Sequence, residues 1–150
     1  MELVVFVGLQ GAGKSSLYAR RFADTHLRIN LDMLRTRRRE DAVLAACLAT
    51  GQRCVIDNTN PAPADRAPYL ARAAAARFTA VAYWFDVPFE TCRARNAGRR
   101  GRARGADKGL AATAARLVPP NLAEGFAAVH TVDAAGAVRL VAAAEDAPAP

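Results

Sequence analysis

Residues Gly8 to Ser15 read Gly-Leu-Gln-Gly-Ala-Gly-Lys-Ser and satisfy the spacing G-x-x-x-x-G-K-[ST]. Those residue types suit one task. Gly8, Gly11 and Gly13 permit a tight turn whose backbone N–H groups converge on an anion, because no side chain blocks its approach. A helix starting at the lysine adds the positive end of its dipole. Lys14 then reaches the terminal phosphates of a nucleoside triphosphate, and Ser15 offers its hydroxyl to Mg²⁺. The nucleotide-holding set is Gly8, Gln10, Gly11, Ala12, Gly13, Lys14, Ser15 and Ser16. Such a pattern arises by chance in roughly one chain of this length in two hundred, and its context, Leu3 to Val7 before and a helical pattern after, lowers that further.

Phosphoryl transfer also needs a metal at the phosphates, cations around the moving group and an acceptor for the attacking hydroxyl's proton. Asp32 is the expected proton acceptor and Asp57 the expected partner of Ser15 at the metal. Arg35, Thr59, Asn60 and Arg66, together with the two aspartates, are expected to face the acceptor. Arginines bunch at 35–39 and again between Arg93 and Arg104, and Arg95 and Arg99 are expected to bring positive charge to the transition state. Plainer roles compete at each position: helix capping for Asp32, an Asx-turn for Asp57 with Asn58, a solvated face for Arg66. His26 and His130 lack acidic or cysteine neighbours in sequence, and Tyr83 and Trp84 read as core.

The chain has 150 residues, a length suited to one domain. Net charge is +7, and of the 21 basic residues only Lys14 and Lys108 are lysine, so the arginine clusters favour a polyanionic partner. No apolar run approaches a bilayer span and no basic leader precedes the first strand, which points to a monomeric cytoplasmic protein without membrane association. Cys47, Cys54 and Cys92 show neither disulfide nor zinc spacing and read as reduced interior residues.

The elements that must position these groups alternate. Strands are expected at 3–7, 27–31, 53–57, 78–87 and 129–132, with an edge strand over 136–141. Helices are expected to about residue 23, over 33–50, 64–76, 89–96 and 110–117. This is an α/β fold with a mainly parallel sheet covered on both faces, spanning 1–145 with a frayed tail at 146–150. Residues 97–109 hold four glycines and five basic side chains, the composition of a lid ordered by an anion. Ligands of such sheets sit beyond the carboxyl ends of the strands, which gathers the phosphate loop, Asp32 and the Asp57–Asn60 segment at one edge.

The set Gly8 to Ser16, Asn30-Leu31-Asp32, Ile56 to Pro61 and Pro120-Asn121-Leu122-Ala123-Glu124-Gly125-Phe126 resembles the kinase domain of polynucleotide kinase/phosphatase proteins, over residues 2 to about 132. The resemblance implies a P-loop NTPase fold with five strands in the order 2-3-1-4-5. It also implies transfer of the terminal phosphoryl of Mg²⁺-ATP to a DNA or RNA 5′ end, with Asp32 as general base. Leu31 stands where the mammalian-type proteins carry arginine, and the lid is richer in glycine and arginine. Two alternatives stay open: a kinase of a small hydroxylated metabolite, nucleoside or antibiotic, and a nucleotide-dependent nucleic-acid-binding module without transferase activity.

Overall fold

The computed structural model describes residues 1–99 and 107–145. The elements run β1 Glu2–Val7, α1 Lys14–Leu17 continued by a π-type turn Tyr18–Phe22, β2 Leu27–Ile29, α2 Leu31–Leu34, α3 Arg37–Thr50 and β3 Cys54–Ile56. They continue with α4 Pro63–Ala75, β4 Thr79–Phe85, α5 Phe89–Ala97, α6 Asp107–Arg116, a 3₁₀ turn Leu122–Glu124, β5 Ala128–Val132 and β6 Val138–Ala143.

The sheet is six-stranded in the order β2-β3-β1-β4-β5-β6. The expected order 2-3-1-4-5 is present with one strand added: β6 pairs antiparallel with β5 and closes the edge, while every other pairing is parallel. Leu3 to Val7 of β1 are all buried because helices cover both faces of the sheet. Leu3, Val5 and Val7 pack towards α3 and α4 with Leu44, Tyr69 and Ala73. Val4 and Phe6 pack towards α1, α5 and α6 with Leu17, Cys92 and Leu110. Cys47, Cys54 and Cys92 are free thiols inside the protein, and burial pushes the Cys54 thiol up to about 12. No helix among the described residues is long and apolar enough to cross a membrane.

Three differences from the sequence expectations have local causes. β2 stops at Ile29 because Asn30 turns into a helix N-cap, its side chain accepting the Met33 N–H. The helix expected over 33–50 is broken at Arg35, which takes φ 76°, and Thr36 caps α3 by accepting the Arg39 N–H at 3.2 Å. The segment 97–109 expected to be a lid is in part helical: Ala97 ends α5, Gly98 caps it, and Asp107, Lys108 and Gly109 belong to α6. Residues 100–106 of that segment, with Arg100, Arg102 and Arg104, and the tail 146–150 lie outside the described residues.

Candidate functional site

The glycine loop leaves β1 with Gly8 N–H donating to the Thr59 carbonyl at 3.0 Å, which ties it to the segment beyond β3. Gly11 has φ 80°, and a Cβ there would lie 2.5 Å from the Cys92 carbonyl of α5, so the loop can press onto that helix only as glycine. Gly13, at φ 97°, makes the left-handed turn that starts α1. Ser15 and Ser16 are exposed at this helix start. Lys14 Nζ folds back on the loop and donates to the carbonyls of Gly8 and Leu9 at 2.9 and 2.6 Å. Burial draws its pKa down to about 8; Arg99 pushes the same way, while Asp57 and Asp32 oppose. Gln10 Nε2 reaches Thr113 Oγ1 of α6 at 3.2 Å, while its Oε1 is buried without a partner among the described residues.

Asp57 ends β3 beside the loop and is 2% exposed. Its Oδ2 lies 3.4 Å from Ser15 Oγ and accepts Arg28 Nε at 2.7 Å, while Arg28 Nη2 donates to Ser15 Oγ, also at 2.7 Å. A positive group already sits between the two oxygens expected at the metal, so their chemistry and spacing fit a cation.

Asp32 sits on α2 at the same edge of the sheet. Capping falls to Asn30, so the Asp32 carboxylate is exposed and has no hydrogen bond or ion pair among the described residues. Its short helix is pinned from beneath. Asn30 Nδ2 donates to the Asp57 carbonyl at 2.7 Å, and Leu31 N–H donates to Asn58 Oδ1 at 2.9 Å. Asn58 Nδ2 in turn donates to Glu40, a carboxylate 1% exposed that also accepts from Arg37 and the Tyr69 hydroxyl. Burial and the neighbouring Glu40 push the Tyr69 phenol up to about 12. Sequence reasoning missed this buried set; its signal was Glu40 at a core position of α3.

Arg95 and Arg99 of the α5 end are brought to the loop, on the wall of a recess of about 260 Å³ next to Gly11 and Gly13. Arg95 Nη2 donates to the Ala134 carbonyl at 2.5 Å, and Arg20 Nη2 to Gly136 O at 2.6 Å, so the turn between β5 and β6 forms the opposite wall. Asp133 shapes that turn by accepting the N–H groups of Ala135 and Ala137. The recess suits the nucleoside half of a ligand whose phosphates lie in the loop. Neither Arg20 nor residues 133–136 were singled out from sequence, although the rule that ligands lie beyond strand carboxyl ends applies to β5 as it does to β1.

Two expected acceptor residues point elsewhere. Asn60 is 5% exposed at φ 44° and donates its amide to the Phe6 carbonyl at 2.9 Å, so it splices β3 to β1. Arg66 is fully buried: Nε and Nη2 form a fork on Glu124 at 2.8 and 2.7 Å, and Nη1 donates to the carbonyls of Asn60, Pro61 and Val118. Neither faces an acceptor. Thr59 is half-buried and contributes its carbonyl to the loop, and Arg35 is exposed at the end of α2, three residues from Asp32. His26 bonds Glu2 at 3.0 Å and His130 stacks on Tyr83, away from the loop.

A family described as AAA domain (AAA_33) matches residues 35–120. Among solved structures, Kti12 of Chaetomium thermophilum in complex with ADP-AlF3 is similar at 20% identity and a TM-score of 0.64, covering 87% of this chain and 88% of that one. A sugar kinase of Janibacter sp. is similar at 19% and 0.64, covering 90% and 86%. A gluconokinase of Sinorhizobium meliloti is similar at 19% and 0.61, covering 89% and 83%. These likenesses show a P-loop NTPase-like α/β fold with a mainly parallel sheet.

Proposed function

The chain belongs to the AAA domain family, and from that premise we propose that it is an ATP-dependent phosphotransferase whose acceptor is the hydroxyl of a small metabolite. The observation that carries this is the Asp32 carboxylate: unpartnered among the described residues, held on a pinned turn at the same sheet edge as the phosphate loop, and near enough for its charge to act on Lys14. The small acceptor draws support from the sugar kinase and gluconokinase, which align over nearly nine-tenths of this chain.

The loop N–H groups bind the phosphates, and Lys14 exchanges the Gly8 and Leu9 carbonyls for phosphate oxygens. Ser15 and Asp57 hold Mg²⁺, which when bound neutralises charge on the terminal phosphates. Arg95 and Arg99 add positive charge from the recess wall, and Arg20 with the 133–136 turn encloses the nucleoside. Asp32 takes the proton of the acceptor hydroxyl as its oxygen bonds to the terminal phosphorus and the bond to ADP breaks.

A depressed lysine pKa has a measurable consequence. Phosphate favours charged Lys14, so the bound value is raised above the free value of about 8. Above pH 8 the free protein must therefore take up a proton on binding, and affinity for ADP falls by up to about tenfold per pH unit until the bound group also titrates. Calorimetry of ADP binding at pH 8.5 in buffers of different ionisation enthalpy will register that uptake. A heat independent of buffer would contradict it.

A second reading, a polynucleotide 5′-hydroxyl kinase, is favoured by the exposed Arg35, Arg38 and Arg39 that follow Asp32 in the chain. Label transfer from γ-labelled ATP to a panel of sugars, sugar acids, polyols, nucleosides and 5′-hydroxyl DNA and RNA oligonucleotides separates the two. Transfer to a small acceptor is expected. Label on oligonucleotides alone would exchange the readings, and ADP binding without transfer to any acceptor would leave a nucleotide-holding module.

A further inference from the structure

Asp57 carries a side chain 1% exposed, and a buried carboxylate is costly without a counter-charge. In the structure that charge comes from Arg28, the middle residue of β2, which pairs with Val55 of β3. Arg28 Nε and Nη2 both lie 2.7 Å from Asp57 Oδ2, and the same Nη2 lies 2.7 Å from Ser15 Oγ. The guanidinium is held from another side by the Tyr18 ring, with its carbon 5.6 Å from the ring centroid. Arg28 was not among the expected site residues. Its contacts are with the two groups assigned to the metal.

The geometry points to Arg28 as an internal placeholder for the metal: a tethered cation that occupies the Ser15–Asp57 position and must leave when a metal–nucleotide complex enters. The inference rests on the placement of Mg²⁺ at Ser15 and Asp57 proposed above. A metal ion bound by both Ser15 Oγ and Asp57 Oδ2 would claim the space that Arg28 Nη2 fills between them, and two cations so close repel each other. A free divalent cation offers Asp57 little beyond what Arg28 already supplies, and Mg²⁺ gives up its water reluctantly. A cation arriving on a triphosphate is different, since the loop N–H groups and Lys14 bind the phosphates and so help displace the guanidinium. Arg28 thereby makes metal binding conditional on nucleotide, and it keeps Ser15 and Asp57 aligned while the site waits.

The test uses Mn²⁺ as the probe, with bound and free ion resolved by electron paramagnetic resonance on the nucleotide-free protein. Arg28→Gln is expected to bind Mn²⁺ at least about tenfold more tightly than wild type, and the double variant Arg28→Gln/Asp57→Asn to lose that gain. Mn²⁺ is also expected to raise the melting temperature of Arg28→Gln more than that of wild type. Arg28→Lys, a smaller charge without the fork, serves if the glutamine variant does not fold, and its Mn²⁺ affinity is expected above that of wild type. Equal Mn²⁺ affinity in wild type and the folded variant overturns the placeholder. A separate arm measures Mn²⁺-ADP binding to Asp57→Asn: undiminished affinity there overturns the metal placement itself, and the placeholder falls with it.

Discussion

Asp32→Asn is expected to lower kcat by about 10²- to 10⁴-fold while the affinity for nucleotide stays within about twofold of wild type. The amide keeps the shape of the side chain and loses only the capacity to take a proton. Among the described residues nothing else holds this carboxylate: the cap of α2 is Asn30, the Leu31 N–H is satisfied by Asn58, and the Asp32 side chain is exposed. Melting temperature is therefore expected to stay near wild type, which separates loss of chemistry from loss of structure. Removing a negative charge that acts on Lys14 also shifts the lysine slightly further down, so the comparison is best made near pH 7. A kcat within about tenfold of wild type would remove Asp32 from the reaction.

Arg66→Ala is expected to cost about 3–5 kcal/mol of stability, because it leaves Glu124 facing a buried gap and takes a donor from the carbonyls of Asn60 and Val118, while Pro61 keeps the Val118 N–H. For a chain of this size that lowers the melting temperature by about 10 °C. Arg66 joins α4 to the segment after β3, to Val118 after α6 and to the 3₁₀ turn at Glu124, so its loss loosens all of these together. Arg66→Lys is expected to recover only a minor part, since a point charge cannot make the two-pronged contact with Glu124. Replacing both partners, as Arg66→Met with Glu124→Leu, is expected to cost less than Arg66→Ala alone because no charge is left unpaired. Thermal or urea unfolding of the single and double variants measures the coupling. A loss below about 1 kcal/mol for Arg66→Ala would mean that the pair is not the clamp its geometry describes.

The phosphate loop was legible because its physics is local. Gly11 and Gly13 are demanded by backbone angles and by the closeness of Cys92, and such demands show directly as residue types at fixed spacing. The alternation of apolar runs likewise placed β1 to β5 in order, since a strand covered on both faces leaves a continuous apolar run. Boundaries that depend on a single side chain were less visible. Asn30 and Thr36 each cap a helix, but nothing local tells which of several polar residues turns the chain.

Two of the segments that carried the resemblance, Ile56 to Pro61 and Pro120 to Phe126, serve mostly the scaffold. In Asp57-Asn58-Thr59-Asn60, only Asp57 faces the loop serine. Asn58 holds α2, Thr59 holds the glycine loop and Asn60 holds β1. In Asn121 to Phe126, Glu124 answers Arg66, Gly125 turns at φ 113° and Phe126 enters the core. These segments report how the scaffold is stapled and carry little about the acceptor. Arg66 had a readable signal: it falls in step with Tyr69, Leu70 and Ala73, the buried stripe of α4. An arginine on an apolar stripe calls for a buried carboxylate partner.

The arginines divide by what they meet in the fold. Arginines look alike in sequence, yet Arg28 balances a buried aspartate, Arg66 clamps loops, Arg95 spans a recess and Arg35, Arg38 and Arg39 face solvent. Of these, the last group is exposed on the surface, open to a large anion.

A crystal structure of the chain with Mg²⁺ and ADP carrying a fluoride mimic of the transferring phosphoryl group tests the central claim most directly. The account predicts the phosphates cradled by Gly8 to Ser15, Arg28 withdrawn from Asp57, and an Asp32 oxygen within about 3 Å of the atom occupying the acceptor hydroxyl's position. A nucleotide seated in the loop with Asp32 turned away from the mimic would contradict it.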